Sequence, residues 1–248
     1  ALPISNIVNV SETNAPGLMN LSNNIVNYTF AGSGNLAGTV DKEGSGTVTL
    51  AISNSPAFNY ITNNQGAFAF NLPVSNAILN AAISDNGSGL GAIVQNGTNR
   101  LVLSGDNSAY NGAFIVNNGV LAYTSIASLG GFGTVYVTNG TGTLNIGSNI
   151  AVTTGGKSTH IAGAGLNGQG AIAEGAGGGP VPMMTGTLTL AGDATIAANL
   201  RWDFAAGSTL VGNDFTLTKT GPADLWLIAA NNSTMGDAHI VQGVLGFQ

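Results

Sequence analysis

Three stretches of this chain close on the same short alternating strand, and the residues after it recur at fixed distances. The strands are Gly46-Thr-Val-Thr-Leu50, Asn99-Arg-Leu-Val-Leu103 and Ala223-Asp-Leu-Trp-Leu227. Each final Leu is followed at the same offsets by an Asn (Asn54, Asn107, Asn231), a Gly (Gly66, Gly119, Gly243) and a large apolar residue (Phe68, Leu121, Leu245). A fixed spacing of this kind constrains the fold more than any single motif, because self-similarity at intervals of tens of residues is the signature of stacked repeats. Gly142-Thr-Leu-Asn-Ile146 and Gly186-Thr-Leu-Thr-Leu190 share only the opening strand. The landmarks at 50, 103, 146, 190 and 227 lie 53, 43, 44 and 37 residues apart. One repeat then approximates two solenoid coils of about twenty residues each.

Within each strand the period is two. Val48/Leu50, Leu101/Leu103, Val135/Val137, Leu144/Ile146, Leu188/Leu190 and Leu225/Leu227 are predicted to point inward, with their Thr, Asn and Ser neighbours outward. Gly and Asn between strands supply the positive φ of tight corners. Helical spacing of Leu, Glu, Lys and Arg is nearly absent. Asn-Gly pairs at Asn86, Asn96, Asn118, Asn139 and Asn167 also suit hairpin turns, so a β-sandwich is the competing architecture. The constant eighteen-residue offset from strand to large apolar residue favours stacking of like on like. The expected fold is all-β, a right-handed parallel β-helix at residues 25–248, with residues 1–24 as an N-terminal arm. That arm contains the strand-like Ile4-Ser-Asn-Ile-Val-Asn-Val10, which could cap its own chain or complete the sheet of a neighbour.

Composition narrows function. Hydrophobic residues make up 44% of the 248, enough for a large core, while charged residues make up only 6%. The net charge is −6, and the five basic residues (Lys42, Arg100, Lys157, Arg201, Lys219) are dispersed. Neither the clustered cations that neutralise nucleic-acid phosphates nor those that hold an anionic membrane are present, so no nucleic acid is expected as a partner. No apolar run reaches eighteen residues, so no helical membrane insertion is expected. The absence of cysteine suits a secreted bacterial protein without disulfides.

The stretch Leu217-Thr-Lys-Thr-Gly-Pro-Ala-Asp-Leu-Trp-Leu227, with Asn231 and Val241-Gln-Gly-Val-Leu245, resembles the autotransporter-associated β-strand repeat. So does Asn99-Arg-Leu-Val-Leu-Ser-Gly-Asp-Asn107 with Val116-Asn-Asn-Gly-Val-Leu121, and Gly168-Gln-Gly-Ala-Ile172 with Gly186-Thr-Leu-Thr-Leu-Ala-Gly-Asp-Ala-Thr-Ile196 is similar to its inter-repeat segment. The resemblance covers roughly residues 25–248. It implies a right-handed parallel β-helix that is extracellular or on a bacterial cell surface. Passengers of that family are followed by a membrane β-barrel, and this sequence ends on the repeat itself. A passenger fragment or a stand-alone secreted protein is the expectation.

A search for chemistry returns no site residues. Of the acids only Asp41 and Glu43 stand two apart, in an expected turn around Lys42, whereas glycoside hydrolysis needs two carboxylates held across a cleft. Asp106 and Asp193 fall in corner settings. His160 and His239 lack metal-ligand spacing, and His239 occupies the repeat position of Thr62 and Ile115. Gly163-Ala-Gly-Leu-Asn-Gly168 spells a dinucleotide fingerprint without the helix or the following acid, and reads as solenoid corners. The glycine cluster Gly175 to Gly179 lacks the Asp of calcium-binding nonapeptides. Trp202, Trp226, Tyr110, Tyr123 and Tyr136 are candidates for a sugar platform, with Trp226 expected outward between Leu225 and Leu227. No catalytic, metal or cofactor site is predicted, and no enzyme activity. The function expected is that of a structural rod or fibre subunit that associates with itself head to tail. The alternative is an adhesin passenger binding host receptors or surface glycans, and a polysaccharide-active enzyme ranks third.

Overall fold

The computed structural model describes residues 6–131, 133–147, 157–174, 183–228 and 231–248. Every strand pairing among them is parallel, which removes the sandwich, since hairpins pair antiparallel. Successive coils climb one strand spacing at a time. The first face is a ladder of eleven strands from Ile7–Asn9 through Thr47–Ile52, Leu90–Gln95 and Val135–Val137 to Thr209–Val211 and Asn231–Ser233. Ten steps of about 4.8 Å give a rod about 50 Å long. The second face starts at Asn76–Leu79 and passes through Arg100–Leu103, Asn118–Tyr123, Thr141–Ile146 and Ile172–Glu174. It ends on Leu217–Thr220 and Ala238–Ile240. Two four-stranded sheets form the third face, Leu18–Ser22 to Ala82–Ser84 and Met183–Met184 to Val244–Phe247. The long strand Thr187–Ala197 serves two faces, turning from the first to the second where its register shifts.

The period-two pattern places the core as predicted. Val48, Leu50, Leu101, Leu103, Val135, Val137, Leu144, Ile146, Leu188, Leu190, Leu225 and Leu227 are all buried. Aromatic edges extend the stack inside, with Phe68 and Phe70 rings 5.4 Å apart and Tyr110 and Phe114 5.3 Å apart. Asn107 is fully buried and ties three coils together: its Oδ1 accepts the Ile83 amide at 2.7 Å and its Nδ2 donates to Ser128 O at 2.6 Å. Asn54 does a weaker version of this from an exposed position, donating to Ser33 O at 3.0 Å. The side chain of the third landmark, Asn231, lies outside the described residues.

Two sequence expectations are adjusted by the geometry. Residues of the 1–24 arm sit on the solenoid: Ile7–Asn9 pairs with Tyr28–Gly32, and Leu18–Ser22 pairs with Ala37–Glu43. The landmark strands, moreover, do not stack on one face. Leu50 is on the first face, Leu103 and Ile146 on the second, Leu190 on the first and Leu227 on the third. Coil length varies, 20 residues separating Val48 from Phe68 and 29 separating Thr159 from Leu188, so a sequence period slips from corner to corner.

Candidate functional site

The slipping repeat turns out to be a corner module. Eight residues before each of Leu50, Leu103 and Leu227 stands Lys42, Gln95 or Lys219, each buried at the inner end of a strand on the third, first and second face respectively. Lys42 Nζ donates to Glu43 O at 2.9 Å, Gly44 O at 2.6 Å and Gln65 O at 3.1 Å. Lys219 Nζ donates to the equivalent three carbonyls, Thr220 O at 2.8 Å, Gly221 O at 2.8 Å and Gln242 O at 2.9 Å. Gln95 fills the same place with a neutral amide, Nε2 donating to Gly97 O at 3.0 Å and Asn99 O at 2.8 Å. Where the chain turns a corner the interior donor supplies hydrogen bonds to strand-end carbonyls, some of which, such as Glu43 O and Thr220 O, also accept an amide of the neighbouring coil (Asn23 and Ala198). Desolvation pulls both lysines below their ordinary range, against the pull of Glu43 and Asp224 respectively. On the next coil Gly66, Gly119 and Gly243 take φ of 72°, 67° and 73°; a Cβ on Gly119 would stand 2.2 Å from Gly97 O. These positions need glycine for both conformation and space.

Sequence reasoning missed this clamp. The signal was present as Lys/Gln-x-Gly at one offset, but the five basic residues were read only as a dispersed charge. Lys42 sits in a strand end and is buried, where a turn was expected. The third lysine, Lys157, is also buried, donates to Gly131 O, and is lowered to about 8 by desolvation.

Of the acids singled out from sequence, Glu43, Asp106 and Asp193 have structural partners, while Asp41 Oδ1 is buried without a hydrogen-bond partner among the described residues. Glu43 accepts from Asn64 Nδ2, Asp106 from the Ser108 amide at 3.0 Å in the expected Asx turn, and Asp193 from the Thr216 amide of the next coil at 2.8 Å. The Gly163–Gly168 run forms a corner, its last residues in the 3-10 turn Leu166–Gly168. The Gly175 to Gly179 cluster lies outside the described residues. His239 is exposed, paired along the ladder with Thr218. His160 stacks on Tyr136 with ring centroids 5.1 Å apart, and its Nε2 is 3.2 Å from Ser158 Oγ. No group of three His, Asp or Glu among the described residues could hold a metal ion.

The sugar-platform candidates separate. Trp202, Tyr110 and Tyr123 are buried in the core, because they fall on inward strand and corner positions. Trp226 points outward but is half-buried. The Arg201 guanidinium lies 5.5 Å from its ring centroid, Asp224 accepts its Nε1–H at 3.3 Å, and its ring leans over Gly246 of the next coil. Arg201 itself is held by both oxygens of Asp203 at 3.0 Å.

One open trough cuts the second face. Asn145, Ala173, Ala197 and Thr220 stand in register on four successive coils, with half-buried Asn145 and Thr220 at the ends and buried Ala173 and Ala197 between them. Glu174, Asn199, Gln242 and Gln169 also line this space of about 230 Å³. Glu174 is 2% exposed, its Oε2 accepts the Leu200 amide at 2.9 Å, and its main-chain oxygen accepts from Asn199 Nδ2 at 3.3 Å. Burial outweighs that amide and raises the carboxyl to about 7.

Parallel coils, an apolar interior and capped corners define a β-solenoid. Residues 93–122, which run from the Gln95 clamp to beyond its partner Gly119, match the model of the passenger-associated-transport-repeat family. The chain thus carries an autotransporter-passenger repeat within a solenoid of about ten turns, and that repeat implies a secreted or surface protein. Comparison with curated proteins and with solved structures returned no match.

Proposed function

We propose that this chain is a non-catalytic structural rod of a secreted or surface protein, and that its copies associate head to tail. The observation that carries this reading is where the apolar surface lies. Of the fifteen large apolar side chains exposed among the described residues, six (Ile7, Val8, Leu18, Ile25, Val26, Tyr28) are at the N-terminal end of the rod. Four more (Ile240, Val241, Val244, Phe247) are at the other end. Among the described residues the strands there, Ile7–Asn9 and Leu18–Ser22 at one end and Ala238–Ile240 and Val244–Phe247 at the other, each pair on one side only. Unpaired parallel edges with apolar flanks are templates for strand addition. One end does not match itself but matches the other, so the contact is heterologous and extends into filaments. The structural engagement of Glu43, Asp106 and Asp193 supports a rod without catalysis.

Sedimentation velocity over a concentration series tests this. Species that grow with concentration, and shorten when two Lys residues are appended after Gln248, are expected. A monodisperse monomer at tens of micromolar, roughly the range in which exposed edges associate, overturns the head-to-tail reading and leaves the adhesin reading in its place.

A further inference from the structure

We infer that the open mouth of the core at the N-terminal end of the rod is a receptor for the Phe247 side chain of a second copy. The inference rests on the head-to-tail reading and assigns its contact residues. Strand register fixes which side chains look into the core. Val8 stands beside Phe30, and Phe30 beside the buried Leu50; Tyr28 stands beside the buried Val48, and Leu21 beside the buried Lys42. All four therefore point inward, yet Val8 is 40% and Tyr28 36% exposed, because among the described residues no coil covers them. Together with Asn20 and Ser22 they line a space of about 280 Å³. Ile25 and Val26, on the turn that joins Leu18–Ser22 to Tyr28–Gly32, add exposed apolar surface to this end.

At the other end Leu245 stands beside the buried Leu225 and Phe247 beside the buried Leu227, so both of these also point inward. Phe247 is nevertheless 58% exposed, an aromatic core residue left in solvent. The two ends suit one another. The third face ends on Val244–Phe247 and begins on Leu18–Ser22, so parallel addition of one edge to the other continues the same face and carries Phe247 toward Leu21 and the mouth. Neither the lining of the mouth nor the strand Val244–Phe247 holds a charged side chain, so the contact desolvates no ion. A space of about 280 Å³ lies below the range of sites for drug-sized ligands and is on the scale of a side-chain anchor. Aromatic side chains seated in small apolar pockets carry much of the energy of protein interfaces.

The test uses the whole chain, which has no cysteine of its own. Ser22→Cys and Gln248→Cys are introduced together, one at the rim of the mouth and one next to the Phe247 anchor. Within one copy the two sites lie about 50 Å apart along the rod, so a short bismaleimide can join them only between copies. A ladder of covalent multimers on a denaturing gel is expected. None is expected from Ser108→Cys with Gln248→Cys, where the first thiol stands on an exposed loop in the middle of the rod. In sedimentation over a concentration series, Phe247→Ala and Val8→Asp should associate at least about tenfold more weakly than the parent, the loss that goes with removing an interface anchor. Their far-UV circular dichroism should match the parent. Association that the two appended lysines shorten, but that Phe247→Ala leaves undiminished or that yields no ladder, overturns this inference while the head-to-tail reading stands. A parent that stays monomeric overturns both.

Discussion

Replacing Lys42 with Met keeps the length of the side chain and removes the donor that three corner carbonyls share. Of the three bonds, the one to Gly44 O is fully buried, and those to Glu43 O and Gln65 O are partly accessible. An orphaned buried carbonyl costs about 1–3 kcal/mol, and a partly accessible one recovers some of that from water. Glu43 O keeps the Asn23 amide, so losing the ammonium orphans Gly44 O and leaves Gln65 O partly to water, about 3 kcal/mol together. Part is offset, because Met removes the desolvation of a buried ammonium, the effect that lowers the Lys42 pKa. A net destabilisation of about 2 kcal/mol follows, or about 4–8 °C in Tm for a chain of this size. Lys42→Gln should lose roughly half as much, since Gln95 shows that a carboxamide in this position reaches two carbonyls. Urea titration followed by circular dichroism gives the ranking parent, Gln, Met. If Lys42→Met unfolds within about 0.5 kcal/mol of the parent, the range of an ordinary surface change, or if Gln is no better than Met, the clamp does not hold the corner.

Stability should pass through a minimum near neutral pH. Glu174 has its folded pKa raised from 4.5 to about 7, so it contributes stability fully below 4.5 that is lost as pH rises through 7, about 3 kcal/mol in all. Lys157 has its folded pKa lowered from 10.5 to about 8, so stability grows as pH rises from 8 toward 10.5. Urea midpoints between pH 4 and 10 should show both limbs, with Glu174→Gln flattening the acid limb and Lys157→Met the alkaline one. Leu103→Asp places an unpaired charge at a fully buried position and should cost several kcal/mol; a melting temperature within a degree or two of the parent's would refute the inward assignment. Gly119→Ala meets both a φ of 67° and a carbonyl 2.2 Å from the new Cβ, so a clear drop in urea midpoint is expected, whereas Ala at exposed Gly17, with open space around it, should be silent.

What the residues alone determined is the local geometry. Alternation in Leu101-Val-Leu103 or Leu225-Trp-Leu227 decides which side chains face inward, because a strand has a period of two whatever it pairs with. The repeated Gly66, Gly119 and Gly243 marked corners for the same local reason, a backbone angle that other residues rarely adopt. The recurring offsets marked stacking, and with it the solenoid. Only the tertiary structure decided which corner each module occupies, since coils of unequal length carry Leu50, Leu103 and Leu227 to three different faces. It also decided the state of the charges. Lys42 and Lys219 look like surface residues until the carbonyls of the next coil, contributed 23 residues away by Gln65 and Gln242, close around their ammonium groups. The trough is the plainest case. Asn145, Ala173, Ala197 and Thr220 are unremarkable in sequence and unevenly spaced along it, and they form one row only because parallel pairing brings one residue from each of four coils into line.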